Sequence, residues 1–206
     1  LLESFLYKLM LYNHLYYDEI QVELVQAQSN DYILTTDRNL VSVVDFKVTD
    51  SVLRISTNME VTSAKALTVY LKLQNPKHVI LKNDSDIETP GQIEVPEFTV
   101  TAASSSEIDV NLTTTKSQIN LRENAKGQLN IRTEQLEVKM SDRTDLRGKF
   151  TAQSARVTMG GSAEFNPRGK TASLNLALTG KADYKGDDFD SKNTSATLSD
   201  RSNAAV

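Results

Sequence analysis

An 11-residue block recurs seven times between Lys77 and Val206, and no other feature of the sequence restricts the fold as strongly. The copies occupy 77–87, 98–108, 119–129, 136–146, 155–165, 174–184 and 196–206. Positions one, three, five and eleven are apolar in 25 of 28 cases, the exceptions being Lys77, Glu123 and Asp200. The other seven positions are apolar in 8 of 49 cases, and seven of those eight are alanine. Three apolar residues at period two make a short strand with one buried face. Five small or polar residues then turn the chain, as at Ser104-Ser105-Ser106, Ser141-Asp142-Arg143, Gly160-Gly161-Ser162 and Thr179-Gly180-Lys181. Small side chains tolerate the positive φ of tight turns. The chain is expected back in the core at Ile87, Ile108, Leu129, Leu146, Phe165 and Tyr184.

The blocks start 21, 21, 17, 19, 19 and 22 residues apart, which leaves 6 to 11 residues between them. That is room for a second strand and a second turn, such as Ile108-Asp109-Val110 followed by Thr113-Thr114-Thr115. One coil therefore holds two short strands and two turns. No single repeat buries its own apolar positions, so the coils must stack. The predicted fold is all-β: a parallel β-helix or β-solenoid with a β-rich N-terminal region. In it Val100, Leu121, Val138, Val157 and Leu176 share one stacked row. A sandwich or an up-and-down barrel also has short strands and frequent turns, but neither demands one template in seven consecutive copies. The varying coil length argues against a strict hexapeptide helix. All eight glycines lie after position 90, which marks a composition shift. The expected layout is a β region at 1–75 packed on solenoid repeats at 76–206, together one continuous domain.

The first residues, LLESFLYKLMLYNHLYY, lack a basic leader and a small-residue cleavage site, so they are not an intact signal peptide. A mature chain with its leader removed would look the same. Glu3, Lys8 and His14 interrupt the segment too often for a membrane span. Leu2, Phe5, Leu6, Leu9 and Met10 fit a helical stripe, while Phe5, Tyr7, Leu9 and Leu11 alternate as in a strand. The strand reading is preferred because everything downstream is β. From 18 to 75, strands are expected at Ile20/Val22/Leu24, Tyr32–Leu34, Val41–Val44, Phe46/Val48, Val52–Ile55 and Leu67–Leu73. A turn falls at Thr49-Asp50-Ser51.

The chain has no cysteine or tryptophan, only two histidines (His14 and His78), and a net charge of −4. Thiolate chemistry and cysteine zinc sites are excluded, and general nucleic-acid binding lacks its basic patch. Serine and threonine make up close to a fifth of the residues. The balance argues against an enzyme and for a polar-surfaced β protein, and no nucleophile-elbow, zincin, phosphate-loop or dinucleotide motif is present.

Several residues could still carry chemistry. Asp187, Asp188 and Asp190 could hold a cation, but the spacing of a calcium loop is missing and a solvated turn is the better reading. Position ten of the blocks holds Asp86, Glu107, Gln128, Asp145, Glu164, Asp183 and Ala205, which would stack as a column. A calcium ladder competes there with carboxylates that accept turn N–H bonds or face Lys and Arg, and the second is preferred. Asp142, Arg143 and Asp145 in one turn resemble the carboxylate–base sets of polysaccharide-cleaving enzymes, a coincidence that polar turns produce readily. Tyr12, Tyr16 and Tyr17 could stack on sugars, but packing explains them better. His14 and His78 read as surface or strand-edge residues. No catalytic, cofactor-binding or metal residue is assigned, and no cofactor is expected.

The blocks resemble the "L-x-V-x-x-S-G-G-S-D-V" repeats of the DUF2807 family, the putative auto-transporter adhesin head (GIN) domains found mainly in Bacteroidetes. TAASSSEI, KMSDRTDL, TMGGSAEF and ALTGKADY carry the likeness. The run from Tyr16 to Thr57 is similar to that family's opening, with Thr49 to Ile55 matching a "DGTLKI"-like turn. This chain keeps fewer turn glycines. The resemblance implies a β-helix similar to pectin-lyase-like proteins without their catalytic residues. It also implies export to the periplasm, outer membrane or cell surface, and adhesion to a surface protein or glycan. A carbohydrate-active enzyme and a purely structural envelope scaffold are the alternatives. Open strand edges at the ends of a solenoid invite pairing. The region 1–75 could cap one end, and either self-association or a chain trimmed close to its fold is expected at the other.

Overall fold

A computed structural model describes residues 20–49, 52–57 and 67–206, and the backbone of 8–12. The fold is all-β, about 70% strand with almost no helix, and forms a β-solenoid of about seven turns. The strands nearest the N-terminus are β1 (Lys8–Tyr12), β2 (Gln21–Gln26), β3 (Asp31–Thr36), β4 (Val44–Thr49), β5 (Val52–Thr57) and β6 (Leu67–Leu73). The repeats supply β7 (His78–Lys82), β8 (Asp86–Glu94), β9 (Glu97–Ala102), β10 (Glu107–Thr113), β11 (Lys116–Leu121) and β12 (Lys126–Arg132). The last strands are β13 (Gln135–Met140), β14 (Asp145–Met159), β15 (Glu164–Leu178), β16 (Asp183–Lys185), β17 (Asp188–Leu198) and β18 (Asn203–Ala205).

Two parallel faces result, because alternate strands of the chain pair with each other. One face runs β7, β9, β11, β13, then the second halves of β14 and β15, then β17. The other runs β8, β10, β12, then the first halves of β14 and β15, then β16 and β18. Their inner residues meet in one apolar core that extends from Ile20 to Phe189. In the later coils the second turn is only a bend: β14 and β15 each continue through both faces as 15-residue strands. Threonines line this inner corner. Thr133 Oγ1 donates to the Thr115 carbonyl at 3.0 Å and the Gln135 carbonyl at 3.1 Å, and Thr171 bonds Gln153 and Ser173 likewise. The buried threonine hydroxyls thereby find the partner that burial requires.

At the N-terminal end the order in space departs from the order in the chain. β1 lies between β5 and β7, and β2 pairs with both β6 and β8, all in parallel. β3 then runs antiparallel on β6, and β4 antiparallel on β5. The expected strand over residues 5–11 is present from Lys8; Phe5, Tyr7 and His14 lie outside the described residues. Thr49 and Val52 pair across the expected turn, whose Asp50 and Ser51 are also outside the described residues. The Val41–Val44 run is not a strand. A 3-10 turn covers Arg38–Leu40, the Val43 N–H bonds the Leu40 carbonyl at 2.9 Å, and β4 begins at Val44. Leu40 and Val43 bury each other in a small separate cluster, which a turn allows and a strand's alternation does not.

The row holding Val100, Val138, Val157 and Leu176 contains Ile119 rather than Leu121. Leu121 sits one row over, with Ala102 and Met140. The third block therefore begins at Ser117, and the seventh at Thr194, because Leu176 faces Ala196. In the true register the blocks start 21, 19, 19, 19, 19 and 20 residues apart. A slip of two residues leaves the inward and outward parity of a strand unchanged, so apolar content alone cannot detect it. It was drawn to Ile119 and Leu129 because Ser117, Gly127 and Thr194 occupy positions that are apolar in most other coils.

Candidate functional site

The block turns share one backbone feature, and the first two add a second left-handed residue at Asp84 and Ser105. Position seven has positive φ in every coil: Asn83 55°, Ser104 57°, Glu123 65°, Asp142 64°, Gly161 69°, Gly180 71° and Asp200 61°. Left-handed backbone there reverses the chain, and short polar residues or glycine accept it at least cost. Position nine is buried and small: Ser85, Ser106, Ala125, Thr144, Ala163 and Ala182. Where it is a hydroxyl it donates to the carbonyl of position six, as Ser106 does to Ala103 at 2.7 Å. Neighbouring turns are tied as well. The Glu123 N–H donates to Asp142 Oδ2 at 3.1 Å, and Ser104 Oγ donates to the Glu123 carboxylate. The Ser141 hydroxyl and the Glu123 N–H hold the Asp142 carboxyl below its ordinary value. Asp142 and Asp145 are thus occupied separately, since Asp145 is clasped by Arg147 at 2.9 and 2.6 Å. Arg143 is exposed.

The corrected register changes the position-ten column to Asp86, Glu107, Lys126, Asp145, Glu164, Asp183 and Asn203. Lys126 and Asn203 replace Gln128 and Ala205. The carboxylates behave as the preferred reading expects. The Glu107 N–H donates to Asp86 Oδ1 at 3.1 Å, and Lys126 pairs with Glu107 at 3.2 Å. Lys185 pairs with Glu164 at 2.6 Å and reaches Asp183 at 3.8 Å, while Asn203 bonds Asp183 at 3.1 Å. The Glu164 hydrogen bond raises the Lys185 pKa above its ordinary value. Asp187 lies in an exposed turn; Asp188 and Asp190 point outward on either side of buried Phe189. Among the described residues no three His, Asp or Glu side chains are placed to hold a metal ion.

The opposite face carries a shallow groove of about 530 Å3 that crosses five coils. Its outward residues stand in register. One row is Lys116, Gln135, Ser154, Ser173 and Asn193; the next is Glu137, Arg156, Asn175 and Ser195, continued beyond the groove by Gln118. Gln118 Nε2 donates to Glu137 Oε2 at 2.9 Å, and Lys139 pairs with Glu137 at 2.8 Å. Lys139 above all holds the Glu137 carboxyl below its ordinary value. Gln135, Ser154, Ser173, Asn175, Asn193 and Ser195 are exposed. Stacked hydroxyls and amides about 4.8 Å apart offer a repeating set of neutral donors and acceptors. His78 lies further along the second row, half-buried, with Nε2 3.3 Å from Thr101 Oγ1. The signal for this groove in the sequence is the set of outward serines and asparagines at and just before the starts of blocks five to seven, residues that carry no acid–base chemistry.

Tyr16 and Tyr17, and the side chain of Tyr12, lie outside the described residues. Of the other tyrosines, Tyr32 stacks on Phe46 at 3.8 Å, Tyr70 sits opposite Ile33 on the surface, and Tyr184 is buried. No helix among the described residues is long and apolar enough to cross a membrane.

The sequence model of the DUF2807 family, described as "Putative auto-transporter adhesin, head GIN domain", matches residues 16–130 and 117–206. No functionally curated protein matches the chain. Several solved structures share the fold. One is a "putative lipid binding protein" from Parabacteroides distasonis ATCC 8503, with TM-score 0.71, 12% identity, and coverage of 100% of this chain and 95% of that one. A "putative adhesin" from Bacteroides fragilis NCTC 9343 has TM-score 0.68, 11% identity, and coverage of 98% and 92%. Another from Parabacteroides merdae ATCC 43184 has TM-score 0.67, 11% identity, and coverage of 99% and 93%.

Proposed function

Because the chain belongs to the DUF2807 family of adhesin-type head domains, we propose that it is a non-enzymatic, exported module that binds a surface glycan or protein. The observation that carries this reading is the in-register polar groove. A rigid sheet that presents mostly uncharged donors and acceptors at the strand spacing suits an extended, repeating polar polymer. Loss of ordering entropy on binding is small when the receptor is this preorganised. The family's adhesin description supports placement at the cell envelope, and the chain's own surface supports solvent exposure of both faces.

A glycan array with the whole chain and with Ser154→Arg/Ser173→Arg tests the reading. Defined glycan hits that disappear in the variant support it. Release of cleaved product would replace it with a carbohydrate-active enzyme, and no binding by a folded chain would replace it with an envelope scaffold.

The same reading treats 1–75 as a β region packed on the repeats of 76–206 in one continuous domain. The insertion of β1 and β2 into the two faces supports this arrangement. Self-association through the last coil is a further mode of surface binding. The outer edges of β17 and β18 have no partner strand among the described residues, and Leu198 is 43% exposed there.

A further inference from the structure

We propose that the outward surface over Gly148 and Gly169, where β12, β14 and β15 lie side by side, binds a phosphate group through Lys149, Arg168 and Arg147. A concavity of about 540 Å3 sits there, lined by Gln128, Arg147, Gly148, Lys149, Asn166, Arg168 and Gly169. Three of these side chains are cations, two are amides and none is a carboxylate. A tetrahedral oxyanion with several acceptor oxygens fits such a set better than a single carboxylate does.

The charge pattern is the main argument. Lys149 and Arg168 are directly opposite each other on adjacent strands. Like charges in that relation destabilise a sheet. Elsewhere on this surface cations sit beside carboxylates, Lys126 with Glu107 and Lys185 with Glu164, and at the edge of the site itself Arg147 is held by Asp145. Lys149 has no ion pair among the described residues. Arg168 has one loose contact there, to Asp188 at 3.8 Å, with both side chains 72% exposed. Such a contact is worth little. Arg132 and Lys170 flank the pair on the next outward row, separated by Thr151. Five cations thus gather in a chain whose net charge is −4. Asp145 faces Arg147, and Asp188 and Asp190 stand opposite Arg168 and Lys170, which leaves Lys149 as the one cation lining the concavity without a facing carboxylate among the described residues. Asp145 takes two of the five donors of Arg147 and fixes the plane of its guanidinium, leaving the rest available.

The floor is backbone. A Cβ on Gly148 would lie 1.8 Å from the Leu129 carbonyl oxygen, and one on Gly169 2.2 Å from that of Phe150. Neither position can carry a side chain, so the strip between the cations is bare backbone. This site lies on the face opposite the polar groove and does not depend on the adhesion reading.

A lipid headgroup and a soluble ester offer the same phosphate chemistry. The test uses the whole chain with two probes: inorganic pyrophosphate by calorimetry, and phosphatidylcholine vesicles with or without phosphatidic acid by co-sedimentation. Lys149→Gln/Arg168→Gln is compared with Lys181→Gln/Lys192→Gln, which removes the same charge elsewhere. Thermal unfolding checks that both fold, and Lys149→Gln alone serves if the double variant does not. The expected result is binding of at least one probe by the wild type, weakened about tenfold or more in the site variant, the scale of one charge-assisted hydrogen bond. Binding of pyrophosphate would assign a soluble source, and binding of acidic vesicles alone a headgroup. The proposal is overturned if the wild type binds neither probe, or if the two variants weaken binding equally.

Discussion

At the scale of single residues, backbone conformation decides more than side-chain polarity. Gly148 has φ +141°, and the Leu129 carbonyl stands where its Cβ would go. Gly148→Ala is therefore expected to destabilise the fold by about 3 kcal/mol or more, whereas Gly91→Ala, with nothing within 4 Å of its Cβ, stays within about 0.5 kcal/mol. Chemical denaturation of the two variants checks the contrast. Charge adds a dependence on pH. Glu137 and Asp142 bind protons less tightly in the folded chain than their ordinary values of 4.5 and 3.8 imply. Their stabilisation is complete above those values and is lost as pH falls through the lower folded ones. Glu137→Gln/Asp142→Asn should flatten the acid limb of a stability–pH curve below about pH 5; an unchanged limb would assign acid sensitivity to other carboxylates. The sequence showed that these turns were polar. It did not show that position seven is left-handed, because Glu123 is an unusual residue for that backbone and conceals the column.

At the scale of elements, alternation made the strands legible but not their register. Position three is legible in five of the seven blocks, and is obscured where Ser117 and Thr194 open the block. The aromatic ladder explains why small residues are tolerated nearby. Phe150, Phe165 and Tyr184 meet edge to face at 5.2 and 5.6 Å, and Gly127 leaves room for Leu146, whose Cδ1 would lie 2.8 Å from an added Cβ. Large side chains in one coil are matched by glycine in the next, which a block-by-block count of apolar residues does not register. Ser117 itself is fully buried, and its hydroxyl has no hydrogen-bond partner among the described residues. Burial without a partner costs free energy. Ser117→Ala should stabilise the chain by about 1 kcal/mol. A loss of similar size on denaturation would mean that the hydroxyl is satisfied and that the packing around β11 differs from this description.

At the scale of the whole molecule, stacking converts a modest repeat into a rigid surface. Each coil buries its apolar positions only against its neighbours, so the outward rows inherit the same spacing and become continuous grooves. That is why the fold class was readable from one chain, while the two grooves were not: they depend on which outward residues become neighbours, and a two-residue slip in the third and seventh blocks scrambles exactly those contacts' partners. Lys126 places one cation in the carboxylate column, paired with Glu107, while Asp145 and Glu164 find theirs outside it in Arg147 and Lys185. The central claim, that successive coils place Val100, Ile119, Val138, Val157 and Leu176 in one buried row, is most directly tested by methyl–methyl NOE spectroscopy on chain labelled at Ile, Leu and Val. The account predicts an unbroken series of cross-peaks from Val100 through Ile119, Val138 and Val157 to Leu176. A series that passes through Leu121 instead of Ile119, or no connection between consecutive blocks, would contradict it.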